Sequence, residues 1–471
     1  MSPTLPTLAE QLAEYVVTAK YEALPAAVVR HAKFVILDPL GVAVAGAMTT
    51  ASRAVLQVVR RLGGPPEATV WRHGDRVSGV NAAFANAMFA HALDYNDDNA
   101  GVQVGAIAAP VAISIGEAVK AAGREVITAV VIGHDVATRV ALAADPQGLY
   151  RAGTQPTAFS GVFAGAAVAG RLLGLNADQL AHAFGIAGSY TGGTIEFLKD
   201  GANTKPLHAA KSAHLGALAA HLAAAGMTGP HSIFEGEFGV LRAFSRTPRP
   251  EQLIEGLGSR YDILQTSVKL YPCADGNAAP MQAALGIVRE HQLALDDIES
   301  LHFRIKSFLI PFALRFNGST ARRYRPQNEL DARMSMPYCV AVALLEDGLL
   351  KPDDFVPARF TDPRLQALSD RITAEGDAEL DKLPLFPMSM PAIATLTTRD
   401  GRVYTKRVDY QKGDPRNPFT PEEYRHKFAN CVADILTRRQ QDEIAGAIMD
   451  LERVPDIAGL TQHLVAHTAA V

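Results

Sequence analysis

The chain has 471 residues, of which 48% are hydrophobic and 20% are charged, and its formal net charge is −4. This length leaves room for two or three domains with a large core, and the composition excludes a largely disordered protein. Because the net charge is slightly negative and no long basic run occurs, we expect a small-molecule ligand and neither a nucleic acid nor a membrane as partner.

The three cysteines and the N-terminal residues indicate in which cellular compartment the protein is expected. Cys273, Cys339 and Cys431 lie far apart and form no CxxC pair, which predicts neither a disulfide framework nor a metal site and fits a reducing compartment. The first residues, MSPTLPTLAEQLAEYV, carry acidic side chains where a secretory signal peptide has a basic start. No uninterrupted apolar stretch of about 18 residues is found, so we expect a cytoplasmic protein.

From residue 8 to about 244, nearly every segment has the apolar spacing of an α-helix. Gly, Pro, Asn or Asp separates one segment from the next. Small residues are so frequent that these helices are expected to approach each other closely. Asn176 followed by Gln179 predicts a capping box at the start of one helix. We therefore predict an all-α region over 1–265.

An acidic stretch, HALDYNDDNAG, interrupts the helices. It does not fit a calcium loop, because Asn99 stands where that loop needs Gly and Gly105 stands where it needs a bidentate Glu. No phosphate-binding glycine loop accompanies it, so we predict no metal. Asp94 is expected to point into a cleft, whereas a solvated acidic turn is an equal alternative for Asp97 and Asp98.

A cationic stretch follows at 190–214, where lysines and histidines interrupt Ala, Gly and Leu. Burying an unpaired ammonium group is costly, so such cations either face solvent or meet an anion. Pro206 suits a first helical position, which would place free backbone N–H groups beside Lys205, and His208 lies on the same helical face. The pattern favours a carboxylate or phosphate seat, and a solvated helix start is the alternative.

The pattern changes after Pro248. The segment 300–308 alternates like a strand, 331–348 has helical spacing ended by Gly348, and 394–410 reads as two strands joined at Asp400 and Gly401. These elements predict a smaller α+β domain over 266–405. At its start, Lys269 precedes a Tyr-Pro turn and forms a second candidate anion seat.

The C-terminal region, 406–471, returns to helical spacing. Thr420 and Glu423 form another predicted capping box, and the apolar stripe that follows needs a partner. The N-terminal helices are the expected partner. The fold class predicted from these patterns is therefore mainly α, with a large all-α domain and a smaller α+β domain.

Several long segments together resemble the MmgE/PrpD family, which includes 2-methylcitrate dehydratase, cis-aconitate decarboxylase and iminodisuccinate epimerase. They occur in the order HALDYNDD, GTQPTAFSGVFAGAAVAGRLLGLNADQLAHAFGIAGS, EFLKDGANTKPLH, EGEFGVLRAF, VKLYPC and YQKGDPRNPFTPEEYRHKF. The resemblance covers nearly the whole chain. It implies a large all-α domain built from both chain ends, a smaller α+β lid domain and a homodimer. It also implies an active site between the domains, without metal or cofactor, that handles di- or tricarboxylates.

The resemblance also directs the choice of site residues. In this family a proton is exchanged at a carbon beside a carboxylate, which needs a base and cations that stabilise the developing charge. We assign catalytic roles to Asp94, Lys205, His208, Lys269 and Tyr338, and substrate-binding roles to Gln155, Lys199 and Tyr271.

Three positions depart from the family pattern. Histidines expected from the resemblance are replaced by Val104, Gln155 and Ala274. From the resemblance we expect a lyase of the dehydratase or decarboxylase type acting on a small di- or tricarboxylate, and the replaced histidines leave two alternatives open. An isomerase or epimerase is the first alternative, and a protein that binds a carboxylate without converting it is the second.

Overall fold

The computed structural model describes residues 5–314, 321–383 and 390–466. As predicted, the fold is mainly α. The helices of the described residues are α1 Leu8–Thr18, α2 Ala26–Gly46, α3 Thr50–Leu62, α4 Gly79–His91, α5 Gly105–Val119, α6 Gly123–Ala143, α7 Pro146–Arg151, α8 Pro156–Leu172, α9 Ala177–Gly188, α10 Phe197–Asp200, α11 Leu207–Ala224, α12 Val240–Phe244, α13 Ala278–Glu290, α14 Ile310–Ala313, α15 Ala321–Tyr324, α16 Glu329–Met334, α17 Met336–Leu345, α18 Pro357–Phe360, α19 Pro363–Ser369, α20 Ala378–Asp381, α21 Pro421–Val432, α22 Arg438–Met449 and α23 Ala458–Thr461. The strands are β1 Ala68–Thr69, β2 Arg76–Val77, β3 Asp97–Asp98, β4 Ser267–Val268, β5 Ile298–Ile305, β6 Ile372–Gly376, β7 Ala392–Thr398 and β8 Val403–Val408.

The larger hydrophobic core contains side chains from both chain ends, from Ala9 to Ile263 and again from Phe428 to Leu464. Its centre is the packing of α8 against α6 and α11. The small residues of these helices allow the close approach: a Cβ atom added to Gly216 would lie 2.4 Å from the carbonyl oxygen of Val162. The frequency of Gly and Ala in the sequence thus has a packing cause.

The C-terminal helices α21 and α22 pack on α2, which confirms the expected partner of the C-terminal stripe. A buried ion pair lies within this contact, where Lys427 Nζ is 2.6 Å from Asp38 Oδ1. The same ammonium group donates a hydrogen bond of 2.7 Å to the carbonyl oxygen of Tyr95 and lies 4.1 Å from the centre of its ring. The C-terminal region therefore supports the loop that carries the acidic stretch.

The second core contains apolar side chains between Tyr271 and Leu396. It is built on a four-stranded sheet of order β6-β5-β7-β8, in which only the β5–β6 pair is parallel, and α13 packs on β7 and β8. The predicted hairpin is confirmed, with Ala392 opposite Val408 and Gly401 at a φ of 84° in the turn. Strand β6 was not predicted. The predicted domain boundaries at 265 and 405 stay predictions.

The helix predicted at 331–348 is two helices, α16 and α17. The backbone leaves the helical region at Ser335, which has a φ of −80° and a ψ of 114°. The Ser335 side chain accepts a hydrogen bond from the backbone N–H of Tyr338, and Pro337 occupies the first turn of α17. A serine cap followed by proline starts a new helix, and this local signal outweighs the continuous apolar spacing.

In the part of the chain that the structure describes, one helix, α6, is long and apolar enough to cross a membrane, and α2 and α3 would pass the same test as one span bent by 92°. The apolar window of α6 is completely buried inside the protein. Its apolar surface is covered by neighbouring helices, as expected for the central helix of a core.

We predict that Lys427→Met lowers the free energy of unfolding by about 3 to 5 kcal/mol, because it leaves the carboxylate of Asp38 buried without its cation. Urea unfolding followed by circular dichroism measures this. The double variant Asp38→Asn/Lys427→Met should regain much of the loss, since neither charge of the pair remains. A double variant as unstable as the single one would contradict the role of the ion pair.

Candidate active site

A short ladder between the two cores brings the acidic stretch to the start of the VKLYPC segment. Strand β3 pairs antiparallel with β4, so that Asp97 lies opposite Val268 and Asp98 lies opposite Ser267. This register places Lys269, the residue after β4, beside the turn that contains Asp94. Asp94 adopts a φ of 51°, a left-handed conformation that Asp tolerates better than most residues.

The Asp94 carboxylate is shared by two lysines. Its Oδ2 accepts a hydrogen bond of 2.5 Å from Lys205, and its Oδ1 accepts one of 2.6 Å from Lys269. Lys269 also donates to the Asp94 carbonyl oxygen at 3.1 Å. Lys205 lies two residues before α11, and Lys269 lies after β4, so residues far apart in sequence meet at this carboxylate.

The electrostatics of the three groups follow from this contact. Burial alone would raise the pKa of Asp94, but the two ammonium groups outweigh it and hold the pKa well below its usual range. Burial lowers the pKa of Lys205. For Lys269 burial also acts to lower the pKa, but attraction to Asp94 and Asp275 outweighs it and raises the pKa. Taken by themselves, the two ammonium groups and the Asp94 carboxylate carry one excess positive charge.

Arg333 fixes the turn from the other side. Its Nη1 donates to the carbonyl oxygens of Leu93 at 3.0 Å and Pro272 at 2.5 Å, and the side chain is buried. Arg333 belongs to α16, which lies in the second core. Arg333 therefore links the turn before Asp94 to the second core.

Two cavities adjoin this cluster. Cavity 1, of about 420 Å³, is lined by Ala274, by many apolar side chains and by polar residues that include Asp98, Gln103, Arg151, Gln155, Lys205, Lys269 and Asp275. Cavity 2, of about 270 Å³, is lined by residues that include His91, Asp94, Lys205, Glu329 and Arg333. Lys205 lines both cavities, so the shared carboxylate lies at the boundary between them.

Asp98 is a site residue that the sequence analysis left open as a solvated turn. The structure buries both Asp97 and Asp98, and the solvated-turn alternative is wrong. Asp98 accepts from Gln103 Nε2 at 2.7 Å and from the Gly101 N–H at 3.0 Å. Burial, with repulsion from Asp275, raises the pKa of Asp98 to about 7. A cavity-lining carboxyl group that titrates near neutrality is suited to proton transfer.

Asp275 is a second carboxyl group that the sequence analysis missed. Its Oδ1 accepts from Gln411 Nε2 at 2.7 Å, while its buried Oδ2 has no hydrogen-bond partner among the described residues. Burial raises its pKa. The sequence signal was present, since Asp275 follows the Tyr-Pro turn of VKLYPC, but only the fold shows that it faces Asp98 and Lys269.

His208 lies one step behind the wall of cavity 1. Its Nδ1 hydrogen-bonds to the side-chain oxygen of Gln155, and this bond requires the proton on Nδ1. Burial, with repulsion from Lys211 and Lys205, lowers the pKa of His208 to about 4, so the imidazole is neutral at pH 7. Its contact orients Gln155, which does line the cavity.

The structure does not bring the remaining predicted residues to this cluster. The Tyr338 hydroxyl donates to the Asp354 carbonyl oxygen at 2.6 Å within the second core, and burial raises its pKa. Tyr271 is buried in the same core, and the mostly exposed side chain of Lys199 lies 3.8 Å from Glu196. The side chains of these three residues line neither cavity. Packing, and not sequence spacing, decides where they point.

Of the three positions where the family resemblance predicts histidine, two line cavity 1 and one does not. Gln155 and Ala274 line cavity 1. Val104 is buried in the larger core at the start of α5, and its neighbour Gln103 faces the cavity instead. The side chain that contributes to the site thus lies one residue before the position expected from the family pattern.

The acidic stretch is engaged by protein donors, since Asp97 accepts from the Gly105 N–H at 2.8 Å and Asp98 accepts as described above. Among the described residues, one group could hold a metal ion by distance: Asp178, His182 and His231, whose ligand atoms lie within 4.8 Å of one another. These three residues line neither cavity. The expectation of metal-independent chemistry stays a prediction.

We predict that Asp94→Asn lowers the free energy of unfolding by about 3 kcal/mol or more, because it leaves two buried ammonium groups without their shared anion. Since the pKa of Asp94 is held low, the wild-type contribution is present above about pH 3.9 and is lost as the pH falls below that value. Urea unfolding at pH 7 measures the change.

Asp347→Asn is the matched control for this variant. Asp347 has a similar φ, 45° against 51°, but its side chain is 80% exposed and pairs with Arg289 at 2.9 Å. We expect a loss of at most about 1 kcal/mol there. Equal losses in the two variants would show that the backbone conformation, and not the shared carboxylate, sets the cost.

Comparison with known proteins identifies the family of the chain. The MmgE/PrpD N-terminal domain matches residues 10–253, and the MmgE/PrpD C-terminal domain matches residues 271–453. Cis-aconitate decarboxylase from Mus musculus is 27% identical over 98% of this chain and 94% of its own length. Those from Homo sapiens and Aspergillus terreus are 26% and 25% identical, over 97% and 94% of this chain and 94% and 92% of their own lengths. The two matches cover most of the sequence, and the chain belongs to the MmgE/PrpD family.

Proposed function

We propose that the protein is a lyase that moves a proton at a carbon beside a carboxylate group of a small di- or tricarboxylate. The observation that carries this proposal is the sharing of Asp94 by the buried ammonium groups of Lys205 and Lys269 at the wall of cavity 1. The excess positive charge is costly in a buried place unless an anion balances it. A substrate carboxylate is such an anion, and the names of the relatives support this class of substrate.

The two lysines also suit the reaction itself. Removing a proton beside a carboxylate moves negative charge onto that carboxylate as an enolate forms, and fixed cations stabilise this charge without reorganising. Asp94 holds both ammonium groups in place before substrate enters. In this proposal Asp94 positions the lysines, and the lysines contact the substrate.

Asp98 is the proposed proton carrier. With a pKa of about 7, it can act as a base when ionised and as an acid when protonated. In a dehydration, Asp98 takes the proton from carbon, the C–H electrons form the double bond, and the hydroxyl leaves as water once Asp98 has passed that proton on to it. In a decarboxylation, the electrons of the broken C–C bond remain on carbon as CO2 leaves, and Asp98 protonates that carbon.

This assignment also accounts for the replaced histidines. Gln155 can donate or accept a hydrogen bond but cannot titrate, and Ala274 can do neither. Since both residues line cavity 1, the family's imidazoles have no direct substitute at those positions. A carboxyl group tuned to neutrality supplies the missing titrating function.

Lys205→Met tests the anion seat. We expect binding of a di- or tricarboxylate to weaken roughly 30- to 150-fold, because one charge-assisted contact of about 2 to 3 kcal/mol is lost. Isothermal titration calorimetry measures this binding. Lys199→Met is the matched control on α10, and its affinity should equal that of the wild type. Equal affinities in all three proteins would contradict the seat.

Asp98→Asn tests the proton carrier by the rate at which solvent deuterium enters the substrate. In the wild type this rate should rise with pH through about 7, as the base form of Asp98 accumulates. The variant should lose this rise and be about 100- to 10,000-fold slower. In Asp275→Asn, the midpoint should move to lower pH, because the repulsion that raises the Asp98 pKa is removed. An unchanged profile in both variants would contradict the assignment.

The products distinguish the remaining alternatives. Loss of water or CO2 identifies a lyase, deuterium entry without net conversion indicates an isomerase or epimerase, and binding without exchange indicates a protein that only binds the carboxylate. The family resemblance further supports a homodimer that acts without metal, and the sequence supports the cytoplasm as its location.

A further inference from the structure

The carboxylate-binding lysines cover only part of cavity 1. Much of the rest is formed by apolar side chains, here called the apolar wall: Phe197, Leu198, Phe308, Leu309, Phe312 and Met334. Three of them, Phe308, Leu309 and Phe312, lie on one short segment that includes α14. A wall of this kind gives a substrate nothing to hydrogen-bond and favours carbon.

The apolar wall lies close to the polar groups. The ring of Phe197 is 5.5 Å from the ring of His208, which contacts Gln155. Leu309 covers Gly276, since a Cβ atom added there would lie 3.0 Å from Leu309 Cδ2, and Gly276 directly follows Asp275. One small molecule can therefore touch the lysines and the apolar wall together.

The charges of the cavity limit how many carboxylates it can hold. Lys205 and Lys269 carry two positive charges, and Asp94 already cancels one of them. Arg151 also lines cavity 1, so two positive charges remain for the substrate. Asp98 and Asp275 add negative charge whenever they ionise. This balance fits two substrate carboxylates better than three.

We propose that the substrate is a dicarboxylate with an apolar side chain, and that this chain lies on the apolar wall where a tricarboxylate would place its third carboxylate. This inference rests on the proposed function and narrows its substrate class. The volume of about 420 Å³ is within the range of pockets that take ligands larger than a compact tricarboxylate. The proposed reaction is unchanged, since no bond of the substrate's apolar side chain forms or breaks.

The test compares saturated dicarboxylates that carry a methyl, propyl or pentyl chain with the tricarboxylate that has carboxymethyl in its place. Calorimetry should show affinity increasing about fourfold for each buried methylene, or about 15-fold from methyl to propyl. The tricarboxylate should bind more weakly than the propyl compound. Affinities that do not depend on chain length, or tightest binding of the tricarboxylate, would overturn the proposal.

Phe312→Ser tests the wall itself, because Phe312 lines cavity 1 and is only partly buried. We expect this variant to bind the methyl compound as the wild type does but to lose at least about fivefold in affinity for the pentyl compound. Phe238→Ser is the matched control, since Phe238 is 90% exposed and lines neither cavity. If affinity depends on the length of the substrate's side chain equally in Phe312→Ser and in the wild type, that side chain does not lie on the apolar wall.

Deuterium exchange with the unsaturated or hydroxylated members of the same series separates this inference from the proposed function. Chain-dependent binding without exchange of any member would refute the lyase and leave the substrate class standing. Exchange that is fastest with the tricarboxylate would refute the substrate class and leave the lyase standing.

Discussion

The shared carboxylate of Asp94 is the contact on which the rest of the site depends. Two buried ammonium groups would repel each other and lose their hydration, and the carboxylate between them offsets both costs. Because Lys205 belongs to the helical part of the chain and Lys269 follows the short β3–β4 ladder, this one anion also fixes where the acidic turn lies. The site is therefore organised before any substrate enters, as electrostatic catalysis requires.

The surrounding structure protects this arrangement. Lys427, from the C-terminal helix α21, binds the carbonyl oxygen of Tyr95 directly after Asp94 in the chain. Arg333, from the second core, binds the carbonyl oxygen of Leu93 directly before it. Together with Lys205 and Lys269, four residues from distant parts of the sequence thus hold the turn. The positive φ of Asp94 fits this picture, since a less favoured backbone conformation persists when its neighbours determine it on every side.

The carboxyl groups of cavity 1 favour the proposed lyase over a protein that only binds a carboxylate. Asp98 and Asp275 face each other across a buried region in which neither ionises easily, so one of them titrates near neutrality. Such a pair resembles the paired carboxyl groups that other enzymes use for proton transfer. A binding protein for anions would gain nothing from carboxyl groups in its own cavity, because they weaken the attraction.

The sequence by itself determined the helical regime, the α+β segment with its hairpin, the return of the C-terminal helices to the N-terminal ones, and the meeting of Lys205, Lys269 and Asp94. The first three follow from periodicity and turn residues, which are local in the chain, whereas the meeting of the three charged residues follows from the family resemblance. Only the tertiary structure decided that Asp98, Asp275 and Gln103 face the cavity, and that Tyr338, Tyr271 and Lys199 do not. The direction of a side chain and the pKa of a buried acid depend on neighbours distant in sequence, and a linear pattern does not record those neighbours.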